Sequence, residues 1–484
     1  MRYKCALIYF AATIALWAQG YTGSISGRVS DPSGLPMSKV AVTLTEESTN
    51  TALKTVTMGL VQFAGKNGAP RHFSPNIYTN FLPRLGFAWN FAPKTVLRGG
   101  YGIYRLPAIG YATTGLASKY GVSATFQSLD NNVTPPYYLA NGVPTYSYNV
   151  DANGNPNIPA SLTKPTNNVT ELESRARTPY NQTWQMGLER QFGHWLAEAD
   201  YVGTKGTKLP ENIPQNQLPA SEWGISNTPQ LLRPFPQYLN VSYLANDATS
   251  SYNALQASLQ RRWENGVLSF SYTWSKVTDY VDGPANATAI QDIYNLQAEH
   301  GIASYNVPQR FVASYVYRIP LGRGSKVLNG LPVVQDVVRG WELSGITEFQ
   351  VGLPMEITQS SNGTGGFTGI QRPNQITQAT LPRDQRNLTQ WFNTAAFVPS
   401  AAFTSGTEPR YALYGPGINN WDASLMRNFP IKERINFQVR GEFYNAMNHP
   451  NFKTPNTTIG NVNYGKITGD NGARVMEVAM RIFF

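Results

Sequence analysis

The sequence is poor in cysteine, in charged residues and in long apolar runs. Its 484 residues include one cysteine, Cys5, and only 14% of them carry a charge. A single cysteine excludes a disulfide framework, so a secreted form must be stabilised by burial and strand pairing alone. By contrast, 12% of the residues are aromatic, and there are 42 glycines and 33 prolines. Little charge with many aromatic and turn-forming residues favours an all-β chain with long loops.

No run of apolar residues beyond position 20 reaches the roughly 18 residues that a membrane-spanning helix requires. The mean hydropathy of −0.32 also argues against a helical membrane protein. Strands that cross a membrane escape this test, because their apolar residues alternate with polar ones.

Side chains for catalysis or metal binding are also scarce. The four histidines are far apart and lack partners at the spacing of metal ligands: His72, His194, His300 and His449. The sequence has no Gly-x-Ser-x-Gly motif, and Cys5 lies near the N-terminus, so no nucleophile is available. The Gly-rich NGTGGFTG at 362–369 lacks the Lys of a phosphate-binding loop and is interpreted as a flexible external loop. We therefore predict no enzyme activity, no cofactor and no metal site.

The charge balance gives little support to nucleic-acid binding. The formal net charge is +10, but Lys and Arg form no basic run along the chain. A nucleic-acid surface needs a clustered basic patch. We expect a solvated surface and no nucleic-acid partner.

Residues 1–20 have the order of a secretory signal peptide: the basic MRYK, the apolar CALIYFAATIALW, and small residues in AQG. The apolar stretch of 13 residues is too short to span a membrane as a helix. Cleavage after Ala18 and cleavage after Gly20 both fit the pattern. Cys5 is removed with the signal in either case, so it is not interpreted as a lipid-anchor cysteine.

Residues 21–57 predict a small β module. SISGRVS and VAVTLTE alternate in polarity, and DPSG between them has the Pro and Gly of a tight turn. This stretch resembles the opening half of a carboxypeptidase-regulatory-like module, which implies a β-sandwich with a carbohydrate-binding-like fold. The second half of such a module is not recognisable, and the first half alone buries little surface.

The last residues show most clearly a pattern that repeats along the chain. RVMEVAMRIFF has one apolar face, with a mixed face between its members: Met476, Val478, Met480, Ile482 and Phe484. This alternation predicts a β-strand whose apolar face must be covered, and a membrane could cover it. Ten further segments alternate in the same way: LPRLGFAWNF, TVLRGGYGIY, NQTWQMGLER, HWLAEADYVG, NALQASLQRRW, VLSFSYTWS, RFVASYVYRI, GWELSGITEFQ, NWDASLMRNF and RINFQVRGEFYN.

The two faces and the connections of these segments indicate a membrane barrel. The polar face carries Ser, Thr, Gln, Asn and scattered charge, while the apolar face is rich in aromatic residues near strand ends. Short turns such as APK, QFG and ENG alternate with long loops, which face outward in outer-membrane barrels. The alternative, a large soluble β-sandwich, would carry Lys and Glu on its outward face. The predicted fold class is therefore all-β, with a transmembrane antiparallel β-barrel over residues 83–484.

Several stretches between residue 80 and the C-terminus resemble the Oar-like TonB-dependent receptors: NFLPRLGFAWNFAPKTVLRGGYGIY, NVPQRFVASYVYRIPLGRG, GWELSGITEFQVGLPMEI, WFNTAAFVP, GPGINNWDASLMRNFPIKERINFQVRGEFYNAMNHPNF and RIFF. The resemblance implies an outer-membrane receptor and transporter, a wide barrel closed by an internal plug and energised through a TonB-type protein of the inner membrane. A regulatory-like module behind a signal peptide is that family's usual N-terminal order. The terminal aromatic, Phe484, corresponds to the family's signal for the barrel-assembly machinery.

The sequence departs from that family between Thr57 and Asn80. The family would carry there the rest of the module, a plug domain and about half of the barrel. No plug and no TonB-contact box is recognisable in the residues present. The chain therefore looks internally deleted, which questions active transport more than location.

The strand count predicts one further crossing in the junction 58–82. If the N-terminal module and the C-terminus both lie in the periplasm, the number of strands must be even, as in a closed barrel. VTMGLVQFAGK at 56–66 is the candidate for this first strand, because it alternates over the ~9–11 residues that a tilted strand requires. The expected barrel then has about 12 strands.

The expected location is the outer membrane, in contact with its lipid, with the module of residues 21–57 in the periplasm. An oligosaccharide, a siderophore or a peptide could be the ligand. Loop aromatics between Asn and Pro residues could contact it: Tyr137, Tyr138, Tyr146 and Tyr148. Two alternatives to a transporter stay open, a barrel that only displays loops for adhesion and a secreted carbohydrate-binding β-protein.

Overall fold

The fold is one large antiparallel sheet with long loops at one end. The computed structural model describes residues 44–46, 51–53, 81–106, 139–141, 169–172, 177–227, 229–236, 238–282, 290–321, 339–432 and 435–484. Its long strands are β1 (Arg84–Ala92), β2 (Thr95–Arg105), β3 (Tyr180–Phe192), β4 (Trp195–Pro214), β5 (Val241–Trp263), β6 (Gly266–Asp279), β7 (Gln309–Arg318), β8 (Trp341–Gln350), β9 (Ile418–Lys432), β10 (Ile435–Tyr444) and β11 (Val475–Phe483).

The sheet follows the chain without crossovers. Each strand from β1 to β11 pairs antiparallel with its neighbours in sequence, and within the described residues β1 and β11 are the two ends of the sheet. All eleven segments predicted from alternation form these eleven strands, so the predicted fold class is confirmed. The further crossing predicted at 56–66 lies outside the described residues and stays a prediction.

The structure also contains short strands and 3₁₀ helices, some of which pair with the large sheet. Leu44–Glu46 and Thr51–Leu53 form an antiparallel pair within the segment predicted as a β module. Val169–Leu172 pairs parallel with β5, and Gly301–Ile302 pairs antiparallel with β6. The remaining short strands are Pro354–Met355, Thr358–Gln359, Asn374–Gln375, Phe397–Val398, Leu413–Tyr414 and Thr458–Ile459. The 3₁₀ helices are Leu139–Asn141, Ala220–Glu222, Pro229–Leu232, Ile293–Glu299, Arg383–Gln385 and Thr394–Ala396. None of the helices in the described segments is long and apolar enough to cross a membrane.

The strand register separates an apolar face from a polar face. Directly paired residues share a face, and the apolar ones follow one another across the sheet, as in the row Leu97, Leu188, Ala199 and Ala257. Many aromatic residues of this face lie in two belts, while Phe87, Trp89, Phe270 and Tyr315 of the same face lie outside them. The belt near the short turns contains Phe192, Trp195, Trp263, Tyr317, Trp341, Phe429 and Phe437. The belt near the long loops contains Tyr101, Trp184, Tyr201, Trp274, Phe311, Phe349, Trp421 and Phe443.

The two belts lie on either side of an apolar band. In β4 the two belts are represented by Trp195 and Tyr201, which lie six residues apart, about 20 Å along a strand. Neighbouring rings within a belt touch, with centroids 5.8 Å apart for Phe349 and Trp421. Aromatic girdles on either side of an apolar band about 25 Å tall are the pattern of transmembrane barrels.

Two strands extend far beyond the length that a membrane needs. β4 has 20 residues and β5 has 23, and they pair from Trp195 and Arg261 to Pro214 and Ser242. The alternation in the sequence predicted them only to residue 203 and from residue 253. A register shift near Leu209 and Pro210 breaks the period there, and proline is normally excluded from regular strands.

Candidate functional site

The predicted assembly residues of the terminal strand lie on the apolar face. Met476, Val478, Met480 and Ile482 pair with Phe443, Gly441, Val439 and Phe437 of β10. Their exposed fractions are 60%, 75%, 70% and 59%, and Phe484, which follows β11, is 99% exposed. Ala479, between them, pairs with Arg440 on the polar face. Contact of these residues with lipid stays a prediction.

The polar face of the sheet carries the ion pairs of the strands. Arg98 of β2 contacts three carboxylates of β3 and β4, at 3.1 Å for Glu189, 2.8 Å for Glu198 and 3.5 Å for Asp200. Further pairs cross from β7 to β8: Arg310 with Glu348 at 2.7 Å, and Arg318 with Glu342 at 3.2 Å. Charged groups of both signs thus line this side of the sheet, as they do in the interior of wide barrels.

A hollow of about 420 Å³ lies on the polar face across β7 to β10. Val316 and Ile346 form its apolar part, and they are 40% and 54% exposed. Asp422 and Glu442 add carboxylates, and serines from β7, β8 and β9 complete the lining. The hollow shows that the polar side has room for a small molecule or for another segment of protein.

The long loops at the other end of the sheet fold together into what we call the loop assembly: the described parts of 215–240, 280–308, 351–417 and 445–474. Its apolar core comprises Met355, Ile357, Ala379, Phe392, Ala396, Phe397 and Leu413, packed against Trp391, Ile459 and Tyr464. A second cluster joins Val281 and Ile290 to Ala248 of β5. The loops are therefore seated on the strand ends and carry a core of their own.

A buried arginine links two of these loops. Arg372 is 2% exposed, and its guanidinium binds both carboxylate oxygens of Glu299, at 2.5 Å and 3.3 Å. Gln291 strengthens the same contact, because its side-chain oxygen accepts hydrogen bonds from the N–H groups of Arg372 and Gly406. A desolvated bidentate pair of this kind has a single favourable geometry.

A second buried arginine ties the loop assembly to the end of β6. The guanidinium of Arg410 lies 3.2 Å from Asp279 and 3.1 Å from Asp282. It also donates to the backbone oxygen of Glu299 at 2.9 Å. Tyr411 donates its hydroxyl to Asp282, and burial together with this carboxylate raises the pKa of Tyr411.

Buried carboxylates outnumber the arginines at this place. Glu408 is 1% exposed and accepts a hydrogen bond from the N–H of Ile357 at 3.0 Å. Burial, with the nearby Glu356, raises the pKa of Glu408 to about 8. Burial also raises the pKa of Glu356. At neutral pH the Glu408 side chain is therefore mainly in its protonated form.

The Gly-rich stretch predicted as a flexible external loop is instead closely held. Thr364 is 1% exposed, and its hydroxyl donates to Asn362 at 2.7 Å. The side chain of Gln371 accepts from the N–H of Gly363 and donates to the backbone oxygens of Ala401 and Thr404. Glycine content suggested flexibility, but side-chain hydrogen bonds to the backbone order this segment.

The structure and the sequence identify different candidate residues. Tyr137, Tyr138, Tyr146 and Tyr148, the predicted ligand contacts, lie outside the described residues. The arginines and carboxylates that build the loop assembly were not singled out, because isolated charges in a loop read as solvated side chains. Their spacing along the chain carries no period that could have revealed them. In the segments that the structure describes, no group of three or more His, Cys, Asp or Glu could hold a metal ion.

Residues 38–477 match the family model of the outer membrane beta barrel domain. The chain belongs to this family. The barrel is thus an outer-membrane protein and not an enzyme, and its apolar face with two aromatic belts is the face expected to meet lipid. A search among curated protein sequences found no match for the barrel.

Several solved structures are similar to the barrel at low sequence identity. The outer membrane transporter YddB from Escherichia coli has a TM-score of 0.45 and 11% identity, over 84% of this chain and 40% of that one. The siderophore receptor PiuA from Acinetobacter baumannii has a TM-score of 0.38 and 9% identity, over 83% and 35%. The FrpB iron transporter from Neisseria meningitidis has a TM-score of 0.37 and 10% identity, over 84% of this chain and 39% of that one. The chain thus spans 35% to 40% of the length of these proteins.

Proposed function

We propose that this protein is an outer-membrane receptor and transporter of the TonB-dependent kind, which takes up a small ligand. The supporting observation is that a charged and polar sheet face lies beneath a folded loop assembly at the end expected to face outward. A polar wall can pass a hydrophilic ligand, while the apolar wall faces the bilayer. The resemblance of residues 80–484 to Oar-like receptors gives the class of receptor.

The proposal includes partners and segments beyond the described sheet. The module of residues 21–57 lies in the periplasm, where a TonB-type protein would act, and Phe484 is read by the barrel-assembly machinery. Tyr137, Tyr138, Tyr146 and Tyr148 contact the ligand from the loop between β2 and β3. Because no plug is recognisable between Thr57 and Asn80, the dependence of uptake on energy is measured separately below.

An uptake assay tests the proposal. Cells that carry the protein in their outer membrane are given a labelled oligosaccharide, a ferric siderophore or a peptide, with and without a protonophore. We expect one probe to accumulate faster than in cells without the protein, and the protonophore to abolish the difference. Accumulation that resists the protonophore would instead indicate an open pore. If no probe accumulates although the protein is in the outer membrane, the transporter proposal fails and the adhesion alternative is favoured.

A further inference from the structure

Two phenylalanines of the loop assembly have a backbone conformation that bulky residues avoid. Phe367 has φ = 59° and Phe403 has φ = 61°, both in the left-handed region. A residue with a large side chain at positive φ is a conformational outlier, and such outliers cluster at functional sites. Burial does not compensate for the strain, since the two side chains are still 40% and 53% exposed.

Both rings belong to segments that meet around Gly224 and Gly365. The ring of Phe403 packs against Gly224 and Gly365, so closely that a Cβ on Gly224 would be 2.5 Å from the ring. Phe367 follows Gly365 by two residues, and Ile225, next to Gly224, is 67% exposed. We call Ile225, Phe367 and Phe403 the aromatic patch.

The backbone beneath the aromatic patch is held in place by hydrogen bonds between loops. The N–H of Phe403 donates to Gly363 at 2.8 Å, and the N–H of Leu218 donates to Gly366 at 2.9 Å. The indole N–H of Trp223, beside Gly366, donates to the oxygen of Leu218 at 2.9 Å. A surface fixed in this way loses little conformational entropy when a ligand binds.

Arg233, which contacts the patch, is turned inward. Arg233 is 3% exposed, and its guanidinium lies 4.1 Å from the centre of the Phe367 ring. It donates to the oxygen of Asn216 and to the side chain of Gln230. Burial lowers the pKa of Arg233 to about 10. The guanidinium therefore supports the ring from behind and is not offered to a ligand.

The exposed neighbours of the patch are neutral and polar. Exposed residues of the three segments that form it carry hydroxyl or amide groups: Ser221, Asn227, Ser361 and Ser405. The patch is chemically complementary to a molecule with a flat C–H face and hydroxyls at its edge. Such a face can stack on an exposed ring, and the hydroxyls can bond to neutral polar groups beside it. These exposed residues are uncharged, so they offer no counter-charge to a strongly charged ligand.

We propose that the aromatic patch binds a neutral saccharide, with a sugar ring stacked on Phe403 and its hydroxyls bonded to nearby polar side chains. This inference rests on the proposed function, since it names the ligand class that the outward loops of the receptor would capture. The strained phenylalanines are then explained: the left-handed backbone turns the rings outward, where a ligand can cover them.

A binding experiment with the full-length protein in detergent micelles tests this proposal. The probes are dextran, laminarin, xylan and an array of neutral oligosaccharides, with the fluorescence of Trp223 and its neighbours as a further signal. We expect at least one neutral saccharide to bind, and Phe403→Gly to weaken it roughly tenfold, the contribution of about one stacked ring. Glycine adopts positive φ without strain, so Phe403→Gly should leave the thermal midpoint unchanged or raise it.

Val462→Ala is the matched control, since Val462 is an 82% exposed apolar residue of the loop assembly outside the patch. It should leave binding unchanged. Binding that survives Phe403→Gly and Phe367→Gly, or a lower thermal midpoint of Phe403→Gly with unchanged affinity, overturns the proposal in favour of a structural role. Failure of every neutral saccharide to bind the wild-type protein also overturns it. Uptake of a siderophore or a peptide in cells would then still support the transporter.

Discussion

The sheet and the loop assembly use charged side chains in opposite ways. On the sheet, Arg310 and Glu348 form an ion pair whose side chains are 53% and 24% exposed. In the loop assembly, Arg372 and Glu299 form one whose side chains are 2% and 1% exposed. Backbone hydrogen bonds already join the strands, so their solvent-exposed ion pairs add little to stability. The loops have few backbone hydrogen bonds of this kind between strands, and contacts between buried side chains join them instead.

This difference shows where a change in sequence should matter. A half-exposed pair gains little from its attraction, because water screens it. A buried pair gives up its hydration on folding, so removal of one partner leaves the other charge buried and unpaired. The loop assembly should therefore depend on single side chains, whereas the sheet should depend on the alternation of its two faces.

The largest effect is expected from Arg372→Met, which leaves the Glu299 carboxylate buried without its partner. We expect it to lower the free energy of unfolding of the loop assembly by about 3–5 kcal/mol. Limited proteolysis of the folded protein, at increasing urea, measures this free energy. The matched control is Arg310→Met on the sheet, which should cost about 0–1 kcal/mol. Equal costs for the two substitutions would contradict the contrast between the two regions.

A smaller effect is expected from Met480→Arg on the apolar face of β11. A charge near the midplane of the lipid should cost about 2–4 kcal/mol in the free energy of folding into vesicles. Ala479→Ser, one residue away on the polar face, should be nearly silent. Deletion of Phe484 should slow membrane insertion in cells without changing the register of β11. Equal tolerance of Met480→Arg and Ala479→Ser would show that the apolar face does not meet lipid.

The last prediction concerns the pH dependence of the loop assembly. Glu408 has a folded pKa of about 8 against an ordinary value of 4.5, so the folded loops favour its protonated form. Its contribution to stability is complete below pH 4.5 and is lost as the pH rises through 8. The thermal midpoint of the loop assembly should therefore decrease as the pH rises from 4.5 to 8. Glu408→Gln keeps an acceptor for the N–H of Ile357 and should flatten this dependence. If Glu408→Gln leaves the change of the thermal midpoint with pH as it is, another titrating group causes that change.

The two regions also differ in how far the sequence predicts them. Strands such as β6 and β11 were predicted from alternation, because apolar and polar residues alternate with a period of two in a half-buried strand. The extensions of β4 and β5 were missed where the shift at Leu209 and Pro210 breaks that period. Most of the sheet was thus predictable, since one local rule generates it.

The candidate site was much less predictable. The contacts that build it join residues far apart in the chain, and no local pattern marks a charge that will be buried. NGTGGFTG was misread for the same reason, because the partners that order it, such as Gln371 and Ala401, are set by the folded loops. The sequence did predict that the long loops lie at one end of the sheet, through their alternation with short turns, and their outward position stays a prediction.

The span of the buried contacts has a consequence for the order of folding. Arg410 reaches Asp279 across 131 residues, and Arg372 reaches Glu299 across 73. Contacts this distant form only after the intervening chain is arranged, because an early closure of so long a loop is entropically costly. We therefore expect the strands β6 to β8 to pair before either arginine contacts its carboxylate. We therefore expect the loop assembly to become resistant to protease only after these strands have paired, so that its resistance would report their correct order.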